Sequence, residues 1–215
     1  MPTRCISPVP SPPGPLGRRW PRLTTRAPGT AFYRVYPYRL GYVAFNPGFG
    51  DTRFTPFTSA TGLSEPTMYG GDDEIVPLLE SVFQEVGITG SRVIYERSLR
   101  DRGLAYVSTT VPLRLVDFRD PELSRLGLGR DQLVATDAAH YACTREWARW
   151  AHGLAINRVQ PDGIVWHSRQ AELIGGPQRE VLALFGGRAT PTPTYWSAPA
   201  CATCSKGREG SLSTR

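Results

Sequence analysis

A Gly-Gly turn that joins a short apolar run to a helix-spaced one constrains this chain more than any other feature. Residues 67–86 read T-M-Y-G-G-D-D-E-I-V-P-L-L-E-S-V-F-Q-E-V. Thr67-Met68-Tyr69 has the composition of a strand, and Gly70-Gly71 turns the chain. Asp72 or Asp73 then starts a helix, because a carboxylate there accepts from the unbonded N–H groups of the first turn and faces the positive end of the dipole. Ile75, Leu79, Val82, Phe83 and Val86 recur at helical spacing and predict one buried face. At about 100° per residue, Glu80 falls on the shoulder of that face, beside Val76 and Phe83. A carboxylate there can point into a cleft from a rigid element. Spacing alone favours a solvated glutamate.

The elements around this unit mix strands and helices without a βαβ rhythm, which predicts an α+β fold. Strands are expected at residues 31–36, 104–109, 113–117, 164–167 and 181–185. Residues 51–56 place Arg53 between turn residues and a further short strand. Asp120-Pro121 opens a short helix closed by Gly127, and Thr136 or Asp137 caps a longer one over residues 138–152. Trp147, Trp150 and Ala151 form a core-facing stripe on it. Residues 92–100 fit strand or helix. Residues 1–30 hold eight Pro and read as a disordered Pro- and Arg-rich extension, and the Pro/Thr/Ser-rich residues 189–215 as a disordered tail.

Several function classes fall away. The net charge of +6 suggests nucleic acid, but five Arg and no acid lie in residues 1–30, and residues 31–200 are nearly balanced. The basic excess belongs to the ends and marks no patch on the domain, so direct nucleic-acid binding is not expected. No run reaches the ~18 apolar residues of a membrane span, and no apolar segment follows the charged start as in a secretory signal. The four Cys include a lone Cys201-Ala-Thr-Cys204, which lacks a second pair for a zinc site. His140, His152 and His167 are scattered, so no metal site is expected. The cytoplasm is the expected compartment.

Five residues suggest chemistry together. Arg34 and Arg53 lie in early strand-like segments, Tyr69 before the Gly-Gly turn, Glu80 on the helix and Ser168 at a strand end. Two guanidinium forks suit a pyrophosphate, meeting its oxygens bidentately. A tyrosine can stack on a heteroaromatic ring. A carboxylate stabilises an oxocarbenium-like ribosyl transition state, and a serine hydroxyl can bond ribose hydroxyls. The combination describes NAD as a substrate with a cleavable N-glycosidic bond. The G-x-G-x-x-G loop of hydride-transferring NAD enzymes is absent.

In these residues the sequence resembles the RES domain, the toxin half of bacterial toxin–antitoxin pairs. The resemblance spans residues 31–188. It rests on Tyr33-Arg34-Val35, Gly50-Asp51-Thr52-Arg53-Phe54, Thr67-Met68-Tyr69 and Leu78-Leu79-Glu80-Ser81-Val82-Phe83. Leu113-Arg114-Leu115-Val116-Asp117, Tyr141-x-x-Thr144-x-x-Trp147-Ala148, Asp162-Gly163-Ile164-x-Trp166-x-Ser168-Arg169 and Ala183-Leu184-Phe185 complete it. It implies an ADP-ribosyltransferase-like α+β fold, with a mixed sheet and flanking helices. It also implies consumption of NAD by hydrolysis or phosphorolysis, inorganic phosphate being one candidate acceptor, with no further cofactor. Arg34 and Arg53 match the family's two Arg, Tyr69 its nicotinamide-side aromatic, Glu80 its Glu and Ser168 its Ser. The implied partner is an antitoxin of the Xre-type helix-turn-helix class. Protein ADP-ribosylation and a non-catalytic partner-binding module are the alternatives. Asp51-Thr52 departs from the Gly that many members carry before the second Arg, and the two terminal segments lie outside the pattern.

Overall fold

Alternation of buried and half-buried side chains builds the sheet that carries the candidate site. The computed structural model describes residues 8–14, 20–83, 96–186, 188 and 196–197. Its strands are β1 (Leu23–Arg26), β2 (Ala31–Pro37), β3 (Thr67–Gly71), β4 (Arg102–Thr109), β5 (Leu113–Asp117), β6 (Gly163–His167), β7 (Glu180–Phe185) and the two-residue β8 (Trp196–Ser197). They form one mixed sheet in the order β1-β5-β6-β7-β3-β2-β4-β8. β5 and β6 are parallel and the other pairings antiparallel. The flanking helices are α1 (Ile75–Leu79), α2 (Arg97–Arg100), α3 (Glu122–Leu126), α4 (Arg130–Leu133), α5 (Tyr141–Gly153) and α6 (Arg169–Leu173). This is the expected α+β class.

Successive side chains of a strand point to opposite faces, so the apolar residues of the central strands divide into two layers. Met68, Leu115, Val165 and Leu184 join Phe32 and Tyr36 of β2 in one. Val116, Ile164, Trp166, Ala183 and Phe185 join the helices in the other, where α5 contributes Trp147, Ala148 and Ala151. The aromatic stripe of α5 is therefore core. Asp137 accepts from the Ala139 amide at 3.1 Å and opens the 3-10 turn leading into α5. Gly127 closes α3 in the left-handed conformation, φ 79°.

The sheet is nearly parted at one place. β2 meets β3 in the single pair Tyr33–Gly71 among the described residues, while β2 and β4 pair along seven positions. Gly70 and Gly71, expected to turn the chain, instead end β3 and pair with Leu182 and Val181 of β7, the bend falling at residues 72–74. The two glycines permit this junction. A Cβ on Gly70 would lie 2.2 Å from the Phe32 ring, and one on Gly71 2.7 Å from Val76.

Four further expectations are corrected. The extension expected over residues 1–30 packs on the domain in its described parts. Val9 is 1% exposed, Pro10 accepts from Trp147 Nε1 at 2.8 Å, and Leu23–Arg26 adds an edge strand to β5. Proline-rich composition hides these contacts because they are tertiary, not periodic. Residues 51–56 form a loop, not a strand. α1 ends at Leu79, and residues 84–86 of the longer expected helix lie outside the described residues. Its inward side chains are Val76 and Pro77, whereas Ile75 is 49% exposed. Asp73 Oδ1 accepts from both Ile75 N and Val76 N, at 3.0 and 2.9 Å, which fixes this phase. Pro77 is tolerated because first-turn N–H groups have no helical acceptor to lose. The expected tail over residues 189–215 lies outside the described residues except for β8, which pairs with β4.

Candidate active site

Where β2 and β3 part, a cleft of about 920 Å³ opens, within the range of small-molecule sites. Arg34, Val35 and Pro37 of β2 border it on one side, and Thr67, Tyr69 and Gly70 of β3 on the other. Glu80 lines it from the end of α1. The strand-turn-helix unit thus delivers Tyr69 and Glu80 to one wall from rigid elements.

Glu80 is half-buried. Ser168 Oγ donates to its Oε1 at 2.6 Å. Ser168 is itself fully buried at the end of β6, where its Oγ also accepts from Ala171 N at 3.1 Å as the cap of α6. Burial raises the Glu80 pKa above the ordinary 4.5, against the Ser168 hydrogen bond and the positive charge of Arg53, which both lower it. The carboxylate is held in one orientation and poorly hydrated, so its negative charge is little screened from whatever occupies the cleft.

Tyr69 packs edge-on against Trp166, ring centroids 5.7 Å apart. Its hydroxyl lies 2.9 Å from Thr52 Oγ1 and accepts from Phe54 N at 3.3 Å. Burial pushes its pKa up to about 12, so it is a neutral phenol at physiological pH. Arg34 is 3% exposed and donates from Nη1 to the Ala44 carbonyl at 2.9 Å. Its Nε has no partner, and no carboxylate lies within 4.0 Å of the guanidinium among the described residues. Burial lowers its pKa to about 10, which still leaves it charged at neutral pH. A buried cation with an unsatisfied donor beside a cleft suits an anionic ligand group.

Arg53 is placed differently. It is 8% exposed, and its Nη1 donates to the Thr136 carbonyl at 2.9 Å and to Thr136 Oγ1 at 2.5 Å. Its Cζ sits 5.4 Å from the centroid of the Tyr141 ring. Neither Arg53 nor Ser168 is among the residues lining the cleft. The structure therefore brings Arg34, Tyr69 and Glu80 to the wall, and sets Ser168 and Arg53 behind Glu80. His167 points away from Ser168, toward a separate cavity beside Asp117 and Arg119. Among the described residues no group of three or more His, Cys, Asp or Glu could hold a metal ion, and no helix is long and apolar enough to cross a membrane.

Sequence reading passed over Thr52 and Thr136. Each acts through one hydroxyl or carbonyl on a partner distant in sequence, and no local pattern marks that. It also passed over Tyr38, Arg39 and Phe49, which line the outer cleft from the Tyr- and Gly-rich loop after β2.

Comparison with known proteins bears on the family and the fold. The family model described as the RES domain matches residues 26–199. A chain of the crystal structure of the M. tuberculosis MbcT–MbcA toxin–antitoxin complex superposes with a TM-score of 0.51 at 16% identity. The match covers 81% of this chain and 84% of that one. None of the curated proteins matches.

Proposed function

The chain belongs to the RES domain family, and we propose that it is an NAD-cleaving toxin of a toxin–antitoxin pair, acting on the bond between nicotinamide and ribose. The observation that carries this reading is the oriented, poorly hydrated Glu80 carboxylate in the same cleft as Tyr69 and the unsatisfied guanidinium of Arg34.

Arg34 receives the pyrophosphate, and Tyr69 meets the nicotinamide ring. As the bond from ribose C1′ to the pyridinium nitrogen breaks, its electron pair passes into the ring and neutralises it. Nicotinamide then leaves uncharged and needs no general acid. Positive charge develops on the ribose, and Glu80 stabilises it electrostatically. Water or inorganic phosphate adds to C1′ and completes hydrolysis or phosphorolysis. Ser168 and Arg53 act behind Glu80, the first by holding Oε1 and the second by its charge. The proposed partner is an Xre-type helix-turn-helix antitoxin, and the proposed compartment is the cytoplasm.

The test is NAD consumption by purified protein, wild type beside Glu80→Ala, with and without phosphate. NAD loss that needs Glu80 supports the reading, and a phosphate requirement selects phosphorolysis. Transfer of label from NAD to a protein band, without free product, selects protein ADP-ribosylation. NAD left intact by folded wild-type protein sinks the reading.

A further inference from the structure

The mouth of the cleft carries side chains to which that reading gives no task. Tyr38 and Phe49 both line the cleft, yet are 61% and 53% exposed. Arg39 lies over the Phe49 ring, with Cζ 4.8 Å from its centroid. Two ring contacts connect this mouth to the interior. Arg34 Cζ is 5.9 Å from the Tyr36 centroid, and the Tyr36 ring meets Tyr38 edge-on at 5.8 Å.

The groups that line the cleft are therefore of three kinds. A carboxylate and a half-buried tyrosine are one, and a buried guanidinium with an unpartnered Nε is the second. Exposed rings with an overlying arginine, reached from that guanidinium through Tyr36, are the third. A flat heterocycle is what exposed rings and a guanidinium plane stack upon, because every base presents a π-face. A ribose spans the interval between such a base and a phosphate at Arg34.

Resting on the proposed function, we infer that Tyr38, Arg39 and Phe49 form a subsite for the second heterocycle of the substrate, the adenine base. The inner cleft then selects for the scissile end, and the mouth separates a dinucleotide from a mononucleotide.

The experiment uses the full chain with Tyr38 and Phe49 both changed to Ala, beside Phe49→Trp. The readouts are KM and kcat for NAD and the inhibition constants of adenosine 5′-monophosphate and of nicotinamide. Adenosine monophosphate should compete with NAD in the wild type. In the double variant, KM and the adenosine monophosphate constant should both rise about tenfold, the loss of a base stack. The loss should fall on KM more than on kcat, nicotinamide inhibition should hold, and Phe49→Trp should retain tight binding. Failure of adenosine monophosphate to compete, or constants that do not move in the double variant, overturns the subsite. A variant that handles NAD normally but loses a protein partner also overturns it, and makes the rim a docking surface. Wild-type protein inert toward NAD removes the cleavage reading itself and the subsite with it.

Discussion

One hydroxyl joins the ends of two helices: Ser168 Oγ donates to Glu80 Oε1 at 2.6 Å, while the same oxygen accepts the Ala171 amide at 3.1 Å. The cap of α6 thereby orients the carboxylate at the end of α1. Disturbing either function disturbs the other.

Glu80→Gln keeps the shape and the acceptor for Ser168 but removes the charge. NAD cleavage should fall roughly 100- to 1,000-fold, the scale of one lost transition-state electrostatic contact. Stability should move the other way. Folding raises the Glu80 pKa, so the ionised carboxylate costs stability above the unfolded-state pKa, in full once the pH exceeds the folded value. Below about 4.5 both states are protonated and the cost vanishes. Thermal melts should show the variant higher at neutral pH, with the gap closing on acidification.

The acid limb of the pH–rate profile should report the same carboxylate. In the proposed mechanism Glu80 works ionised, so activity should fall as the pH drops through a midpoint above the ordinary carboxylate value. The Ser168 hydrogen bond lowers that midpoint, so Ser168→Ala should move the limb to higher pH. The variant also loses the cap of α6, at a cost of about 1 kcal/mol. A limb that stays in place would sink the link between hydroxyl and carboxylate.

Arg34→Lys keeps the charge but loses the fork and the unpartnered Nε. KM for NAD should rise at least about tenfold, since a lysine is not equivalent at a bidentate phosphate site. Inhibition by nicotinamide, which has no phosphate, should stay at the wild-type value.

Arg53→Met should act chiefly on the fold. Its guanidinium holds the Thr136 carbonyl and hydroxyl between α4 and α5. The carbonyl keeps Arg169 Nη1 at 3.2 Å, but the buried hydroxyl oxygen would lose its donor at about 1–3 kcal/mol. Chemical denaturation should show that loss. A variant as stable as wild type but unable to bind NAD would restore Arg53 as a direct phosphate ligand.

Val9→Ala should lower stability by about 1–2 kcal/mol, the value of burying a valine side chain less that of an alanine. An unchanged denaturation midpoint would return this segment to the role of a free extension.

Much of this architecture was legible in the sequence, and the reason is local. Six strands and α5 announce themselves by periodicity, and Asp137 and Gly127 mark helix ends by cap chemistry. The edge strand Leu23–Arg26 was not legible, because only its partner β5 makes it a strand. The phase of α1 was misread for a related reason. Ile75 fits the helical spacing, but Asp73 bonds two successive amides and turns Val76 inward. Glu80, Tyr69 and Arg34 could be grouped from sequence because they sit on or at the end of regular elements that converge on one cleft. The places of Arg53 and Ser168 behind the wall depend on contacts with Thr136 and Glu80, 83 and 88 residues away in the chain.

The near-parting of β2 from β3 bears on how such a chain can diversify. With one residue pair crossing the junction, little of the join is backbone ladder. The apolar layer of Phe32, Tyr36, Met68 and Leu184 does most of the holding. The width of the opening is therefore written in side-chain volume, a quantity that a single substitution alters by one methylene. Descendants of this sequence can be re-gauged for slimmer or bulkier substrates from inside that layer, leaving every residue on the cleft wall as it is.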